Sequence, residues 1–324
     1  MTRDFAGVFG ERKCGGGLGL NPYLRSEMWG TRFCVGSTLY HRTTPMLLVG
    51  WAIIHMDGSE SVAAIIELFM ECESAIRNGE LIHRENRQDK EFHFQNWFGA
   101  RLRALSIAFD PPARNTYPDF RLVKHSEGYE VKGLSFPGRI ANYDCNSQMP
   151  SGLHNEREIY YVFGRYPKED VGNDFPVYDL VICHGDFLNA DHNYVHANKN
   201  VKGFGSYGDI MIRDRKMYVA PTPFAITAGT AGQVTLILPS IRKTGVVDLA
   251  SVGELTRIET DQLVKGYTAN LSANTLLPSF TSNPNAGTKH RFTAYRHRGH
   301  LGPDVSMVKL ADAVKAENTE EVDE

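Results

Sequence analysis

The chain has 324 residues, of which 42% are hydrophobic and 23% charged, and its formal net charge is −3. These fractions exclude a collagen, a coiled-coil rod and a wholly disordered chain. The last ten residues carry five acidic groups and one lysine, so the rest of the chain is close to neutral. That balance excludes the strongly basic profile of a histone-like or RNA-coating protein. A nucleic-acid partner would need a local positive groove or metal ions.

The cysteines and the apolar runs indicate the cellular compartment in which the protein works. Five widely spaced cysteines contain no CxxC pair, namely Cys14, Cys34, Cys72, Cys145 and Cys183. This spacing favours a reducing environment over a disulfide framework or a structural zinc site. The longest apolar run, residues 46–54, is shorter than the roughly 20 residues that cross a membrane. The first residues lack an export signal. We therefore expect a cytoplasmic protein with no membrane partner.

Helical and strand-like patterns alternate along the chain. Apolar residues recur at helical spacing in residues 59–77, and Asn78-Gly79 follows as a helix end. A second amphipathic helix is predicted over residues 91–105. Strand-like runs follow at residues 120–123, 129–134, 158–163, 177–183, 209–213, 216–220 and 234–238. This order predicts an α/β fold with a central mixed β-sheet flanked by helices.

The most informative pattern lies in residues 117–134. Pro118-Asp119 is followed, eleven residues on, by the acidic-x-lysine triplet Glu130-Val131-Lys132. A strand-like run surrounds each half of the motif, and a helix with an acidic start precedes them. The pattern resembles the PD-(D/E)XK nuclease superfamily, which includes most type II restriction endonucleases. The resemblance covers residues 85–135 and implies a restriction-endonuclease-like core with additional recognition elements.

The resemblance implies catalytic roles for Asp119, Glu130 and Lys132. Asp119 and Glu130 would supply carboxylate ligands to Mg²⁺, which prefers hard oxygen donors, and the Val131 carbonyl would be a further ligand. Strand alternation turns the Val131 side chain into the core and puts Glu130 and Lys132 on one face. Lys132 would orient the attacking water or accept its proton. The base role needs a lowered pKa, for which burial and a nearby metal are plausible causes.

A further carboxylate is expected from the helix that precedes the motif. Glu91 opens that helix, and Glu85 is the runner-up. The resemblance implies that Glu91 binds the metal or orients the lysine. The alternative is that an acidic residue at a helix start only complements the macrodipole.

The spacing of the motif poses a geometric question. If residues 126–128 form a tight turn, Glu130 lies opposite Lys124, and Asp119 is about 17 Å further along the hairpin. Two carboxylates that far apart cannot share an ion. A wider turn centred near Lys124-His125, or a bend at Pro118, would bring them together.

The expected DNA contacts lie in the loops that follow the catalytic strand. Asn, Gln and Arg can contact base edges in pairs of hydrogen bonds, and cations and hydroxyls contact phosphates. Candidates for base contacts are Asn146, Gln148, Asn155 and Arg157, and candidates for phosphate contacts are Arg139 and Ser147. A long loop after residue 183 adds Asn189, Lys199 and Lys202, and the basic segment 289–300 suits phosphates. The alternative to these DNA contacts is that the loops are ordinary polar loops and that the basic segment is a solvated basic face.

The same long loop offers a competing metal site. Zinc ligands are available in His184, Asp186, Asp191, His192 and His196. The spacings known for zinc hydrolases, such as HExxH, are absent.

Four regions are predicted. Residues 1–58 form an irregular N-terminal segment, 59–240 the nuclease core with recognition loops, 241–314 a C-terminal subdomain or extension, and 315–324 an acidic tail. The predicted function is Mg²⁺-dependent, sequence-specific cleavage of double-stranded DNA by a homodimer without an organic cofactor. Two alternatives stay open: a repair or defence nuclease without strict sequence specificity, and a non-catalytic DNA-binding module.

Overall fold

A computed structural model describes most of the chain beyond residue 58. The described residues are 59–84, 90–110, 116–138, 140–146, 148–168, 172–190, 207, 211–213, 216–242, 244–270 and 275–308. The chain divides into two compact units, residues 1–54 and 55–324, and the described residues all belong to the second.

Three α-helices and one 3₁₀ turn occur in the described residues. Helix α1 spans Ser59–Arg77, α2 spans Lys90–Ala104, α3 spans Pro223–Ile226, and the 3₁₀ turn spans Gly185–Phe187. The predicted helix over 59–77 is confirmed, and the one over 91–105 is confirmed with both ends shifted by one residue. Gly79, with φ of 72°, ends α1 in the left-handed conformation. None of the described helices is both long and apolar enough to cross a membrane.

The described strands are numbered β1 to β18 in chain order. Their bounds are β1 Ile82–His83, β2 Phe109–Asp110, β3 Phe120–Leu122, β4 Glu127–Phe136, β5 Asn142–Asn146, β6 Leu153–His154, β7 Arg157–Pro167, β8 Asp174–Phe175, β9 Asp179–His184, β10 Met211–Arg213, β11 Lys216–Pro221, β12 Thr227–Ala228, β13 Val234–Pro239, β14 Leu249–Ile258, β15 Gln262–Asn270, β16 Thr275–Ser282, β17 Lys289–His297 and β18 Ser306–Met307.

Nine of these strands form the central sheet. Their order is β14-β17-β13-β9-β7-β4-β3-β2, with β6 beside β7. Strand β4 runs parallel to β7 and β9 parallel to β13, whereas β3–β4, β7–β9 and β13–β17 are antiparallel. A smaller sheet contains β10, β11 and β5. The fold is therefore mixed α/β with a central mixed sheet, which confirms the predicted class.

The sheet buries apolar side chains on both faces. On one face, α1 and α2 pack over residues such as Val131, Val162 and Ile182. On the other face, β5, β11 and the 3₁₀ turn cover residues such as Tyr161 and Phe163. The predicted burial of the Val131 side chain is confirmed. Because side chains alternate along β4, the side chains of Glu130 and Lys132 leave the strand on the side opposite Val131.

The predicted strands all have counterparts in the structure, but several observed strands were not predicted. Strands β5 and β14 to β17 lie in segments whose polar composition hides the strand pattern. Strand β17, for example, contains five basic side chains, yet it lies between β14 and β13 in the central sheet. The described part of residues 241–314 thus extends the central sheet through β14 and β17.

A buried ion pair links β7 to β9 in the middle of the sheet. Arg165 Nε donates to both carboxylate oxygens of Asp179, at 2.8 and 3.0 Å, and both side chains are almost fully buried. Asp179 also accepts the N–H of Gly232 at 2.7 Å. The guanidinium lies against the rings of Phe136 and Phe224. Loss of either partner would leave an uncompensated charge in the core.

We expect Asp179→Ala to lower the free energy of unfolding by about 3–5 kcal/mol, because it leaves the buried Arg165 guanidinium without its carboxylate partner. Urea denaturation measures this change. The control is Asp174→Ala, which removes the partner of His83 in an exposed pair at 2.6 Å and should cost less than about 1 kcal/mol. Similar small losses in both variants would contradict the account of the buried pair.

Candidate active site

The β3–β4 hairpin determines where the two motif carboxylates lie. Phe120 pairs with Tyr129, and continuing this antiparallel register places Asp119 directly opposite Glu130. The turn is therefore centred on Lys124-His125. Of the two alternatives for the spacing, the wider turn is the observed one, and the separation of about 17 Å that a tight turn would impose does not arise.

Arg157, at the start of β7, holds this wide turn in place. Its Nη1 donates to the carbonyl oxygens of Leu122 at 2.7 Å and His125 at 3.0 Å. The backbone N–H of Glu158 donates to the Ser126 carbonyl at 2.8 Å. The turn carbonyls thus find their hydrogen-bond donors on β7. The sequence predicts a base contact for Arg157 but not this structural role, which a base contact would have to give up.

The lysine of the motif, Lys132, lies among the carboxylates. Lys132 Nζ is 2.8 Å from Glu130 Oε1 and 3.9 Å from Glu91 Oε1 at the start of α2. Asp119 Oδ2 accepts the backbone N–H of Val131 at 2.8 Å, which fixes the Asp119 carboxylate against β4. Glu130 and Lys132 are both 13% exposed and Glu91 is 37% exposed. The structure therefore brings together the three predicted catalytic residues and the predicted helix carboxylate.

Two glycines allow α2 to come close enough for Glu91 to contribute. Gly133 on β4 and Gly164 on β7 are direct neighbours across the parallel pair. A Cβ on Gly164 would collide with the ring of Phe94, and one on Gly133 would lie 3.2 Å from the Glu91 Cα. The start of α2 therefore packs directly against the backbone of β4 and β7 at these two glycines. This pair was not predicted, although Gly133 lies within one predicted strand and Gly164 directly follows another, which is a usable signal.

The crowding of charges changes the protonation of the cluster. Burial and the Glu130 charge together raise the pKa of Asp119 to about 7, against the opposing effects of Lys132 and the Val131 N–H. For Lys132, burial lowers the pKa, but Glu130, Glu91 and Asp119 outweigh it and hold the pKa above its usual range. Burial thus acts in the expected direction, but three carboxylates stabilise the ammonium more strongly, so burial alone does not give Lys132 the lowered pKa that a base needs.

The second carboxylate oxygen of Glu130 is a candidate ligand atom. Glu130 Oε2 is buried and has no hydrogen-bond partner among the described residues. Across the parallel pair, Glu130 neighbours Tyr161, whose hydroxyl lies 2.8 Å from that of Tyr117. Burial raises the pKa of both tyrosines, so their hydroxyls stay neutral. Two neutral tyrosines next to a buried Glu130 oxygen that has no hydrogen-bond partner among the described residues form an environment that favours a bound cation.

The predicted DNA contacts have mixed outcomes. Asn155, with φ of 48°, forms with Glu156 the two-residue turn of the β6–β7 hairpin, which suits its conformation. Gln148 Nε2 donates to its neighbour's carbonyl at 3.2 Å. Asn189 is buried and its amide donates to the Pro150 carbonyl at 2.8 Å, so a base contact would require this segment to open. The positions outside the described residues are Arg139, Ser147, Lys199, Lys202 and the side chain of Asn146.

The competing zinc site is described only in part. His184 Nδ1 accepts the N–H of Asp186 at 3.3 Å and lies 3.6 Å from the Asp186 carboxylate. Burial lowers the pKa of His184 to about 4, so the imidazole is neutral. Asp191, His192 and His196 lie outside the described residues.

Comparisons with known proteins add no family. The chain matches no protein-family model, no curated protein and no solved structure.

The raised pKa of Asp119 makes stability depend on pH. Its folded value of about 7 exceeds the usual 3.8, so the protonated carboxyl stabilises the fold fully below pH 4, and that contribution is lost as pH rises through 7. We expect Asp119→Asn, which keeps an oxygen acceptor for Val131, to be more stable than the parent at pH 8 by about 2 kcal/mol, and to lose this advantage near pH 4.

Chemical denaturation at several pH values measures this difference. The control is Asp110→Asn on β2, whose partner Arg121 is exposed and 3.4 Å away. That variant should differ from the parent by less than about 0.5 kcal/mol throughout. A gap between Asp119→Asn and the parent that does not vary with pH would refute the raised pKa.

The structural role of Arg157 can be separated from a base contact. We expect Arg157→Met to lower the free energy of unfolding by about 2–3 kcal/mol in the absence of DNA, since it removes charged hydrogen bonds to turn carbonyls. Thermal and urea unfolding of the free protein measure this loss. An unchanged stability together with weaker binding to one DNA sequence would instead assign Arg157 to base contacts.

Proposed function

We propose that this protein is a Mg²⁺-dependent endonuclease that hydrolyses phosphodiester bonds of double-stranded DNA at a specific sequence, as a type II restriction enzyme does. One observation carries the proposal: the β3–β4 register sets Asp119 opposite Glu130, with Lys132 2.8 Å from Glu130. These residue types, in this arrangement, are what phosphodiester hydrolysis by a hard metal ion requires.

The donor set fits Mg²⁺. Asp119 and Glu130 offer oxygen ligands, and Glu130 Oε2 is buried with no hydrogen-bond partner among the described residues. Three carboxylates surround one ammonium, so the cluster carries excess negative charge that a divalent cation would neutralise. The Val131 carbonyl is a further ligand in the proposal. Bound Mg²⁺ would neutralise charge on the phosphate, activate a water and stabilise the leaving oxygen.

Lys132 acts in the proposal as an ammonium rather than as a free base. Glu130 and Glu91 hold the pKa of Lys132 high and fix its Nζ between them. From this position the ammonium orients the attacking water and stabilises charge on a phosphate oxygen. Glu91 positions the lysine, and the glycines beneath α2 allow it to do so.

The DNA partner and the homodimer rest on the resemblance to restriction endonucleases, in which a symmetric dimer matches a palindromic site. A near-neutral protein needs a local cationic surface to bind DNA. On β17, Lys289 and Arg291 are exposed and line an open cleft of about 490 Å³ with Ser240 and Ile241. We include this cleft in the proposal as a contact to the phosphate backbone.

The test is digestion of plasmid and phage DNA by the purified protein with Mg²⁺. Discrete fragments support sequence-specific cleavage, and a smear indicates a nuclease without strict specificity. Intact DNA with a retained gel shift indicates a DNA-binding module and contradicts the nuclease assignment. Sequencing the fragment ends then gives the recognition site and the cut positions.

Active-site variants test the assignment of each side chain. We expect Asp119→Asn, Glu130→Gln and Lys132→Met each to slow cleavage at least about 100-fold while DNA binding is retained. The reason is that each replaces a side chain proposed to bind the metal ion or to contact the reacting phosphate. Glu91→Gln should slow it about tenfold. Single-turnover cleavage rates and gel-shift titrations measure both properties.

The matched control is Lys124→Met, which removes an exposed lysine from the turn of the same hairpin. It should keep the parental rate within about twofold. Cleavage by Lys132→Met at the control's rate would remove Lys132 from the mechanism.

A further inference from the structure

A second group of metal-ligating side chains lies away from the candidate active site. Glu73 on α1, His297 at the end of β17 and His300 just beyond it have ligand atoms within 4.8 Å of one another. Glu73 Oε1 is 2.7 Å from His300 Nδ1, and the two imidazole rings are 5.4 Å apart. The His300 N–H donates to the His297 carbonyl at 2.9 Å, so a tight turn presents both imidazoles to the helix.

The Glu73 carboxylate is available to a ligand although it is 7% exposed. Its Oε1 accepts from Arg77 Nε at 3.1 Å and contacts His300. Arg77 is 39% exposed, so its side chain can turn into solvent and release the carboxylate. A carboxylate this deeply buried is unusual for a group that pairs with exposed cations.

The ligand types of this group favour a different metal from the one that the candidate active site favours. Two imidazoles and one carboxylate favour zinc or a similar transition metal, whereas Asp119 and Glu130 offer oxygen donors alone. Zinc ligands at about 2.0–2.2 Å from the ion lie roughly 3–4 Å from each other, which small rotations of these side chains would reach. Three protein ligands leave a fourth position for water.

The group formed by Glu73, His297 and His300 also lies apart from the candidate active site. Strand β17 lies four strand positions from β4 in the sheet order, a lateral distance of about 19 Å at the usual strand spacing. A metal here would connect α1 to the end of β17, two segments more than 200 residues apart in the chain. Because zinc would bind only when these two segments are together, its binding free energy would add to the stability of the folded state.

We propose that Glu73, His297 and His300 form a structural zinc site that ties α1 to the end of β17. The imidazoles bind zinc in their neutral form, so uptake releases protons and weakens as the pH falls. In this arrangement His297 Nδ1 gives up the hydrogen bond that it accepts from the Gly299 N–H at 3.1 Å, or its Nε2 binds after the ring rotates.

The experiment measures zinc uptake by the full chain, without an affinity tag and with millimolar Mg²⁺ present to occupy the carboxylate site. We expect about one zinc per chain after removal of excess metal. Zinc should raise the Tm by about 3 °C or more, because it binds the folded state alone. Replacement by Co²⁺ should give the intense visible absorption of a four-coordinate site with imidazole ligands.

Four variants and one control decide the outcome. His300→Ala, His297→Ala and Glu73→Gln should each weaken zinc binding at least tenfold and abolish the Tm increase. Arg77→Gln should bind zinc at least as tightly as the parent, because it removes a competing cation. The control is His83→Ala, which deletes a histidine from an exposed pair with Asp174 and should leave uptake unchanged.

Two results would overturn the proposal. One is the absence of zinc uptake by the parent protein. The other is equal uptake by the parent and by His300→Ala, whose side chain is 41% exposed and whose loss the fold should tolerate. In either case the three side chains form a hydrogen-bonded network with Arg77 and no metal site.

Discussion

The pairing register of β3 with β4 is the constraint on which the candidate site depends. A shift of one residue would turn the side chains of a strand to the other face and separate Asp119 from Glu130. The register follows from a wide turn at Lys124-His125, whose carbonyls are bound by Arg157. A residue at the start of β7 thus determines whether two carboxylates eleven residues apart can share one ion.

The site carries more negative charge than its surroundings favour. Asp119 and Glu130 repel each other in a half-buried position, and this repulsion together with burial brings the pKa of Asp119 to about 7. Lys132 offsets part of the cost, and the close approach of α2 over Gly133 adds Glu91 to the same cluster. Natural proteins tolerate such local destabilisation mainly where it serves binding or catalysis.

The sequence predicted those features that depend on local pattern. The helix over residues 59–77, the central strands and the members of the candidate site follow from periodicity and from one motif. The register did not follow, because the turn is held by Arg157, which lies 32 residues from His125. The burial of Asn189 and the contact of Glu73 with His300 are also long-range, and the latter spans 227 residues. Strand β17 was missed because charged side chains conceal its buried positions.

The central claim is that Asp119 and Glu130 bind one divalent cation beside Lys132. Anomalous diffraction from crystals grown with Mn²⁺, which takes the same oxygen ligands as Mg²⁺, tests it most directly. The account predicts an anomalous peak at about 2.0–2.3 Å from an oxygen of each carboxylate, and loss of that peak in Asp119→Asn. A peak bound to other side chains alone, or a Lys132–Glu130 cluster with no ion at saturating Mn²⁺, would contradict it.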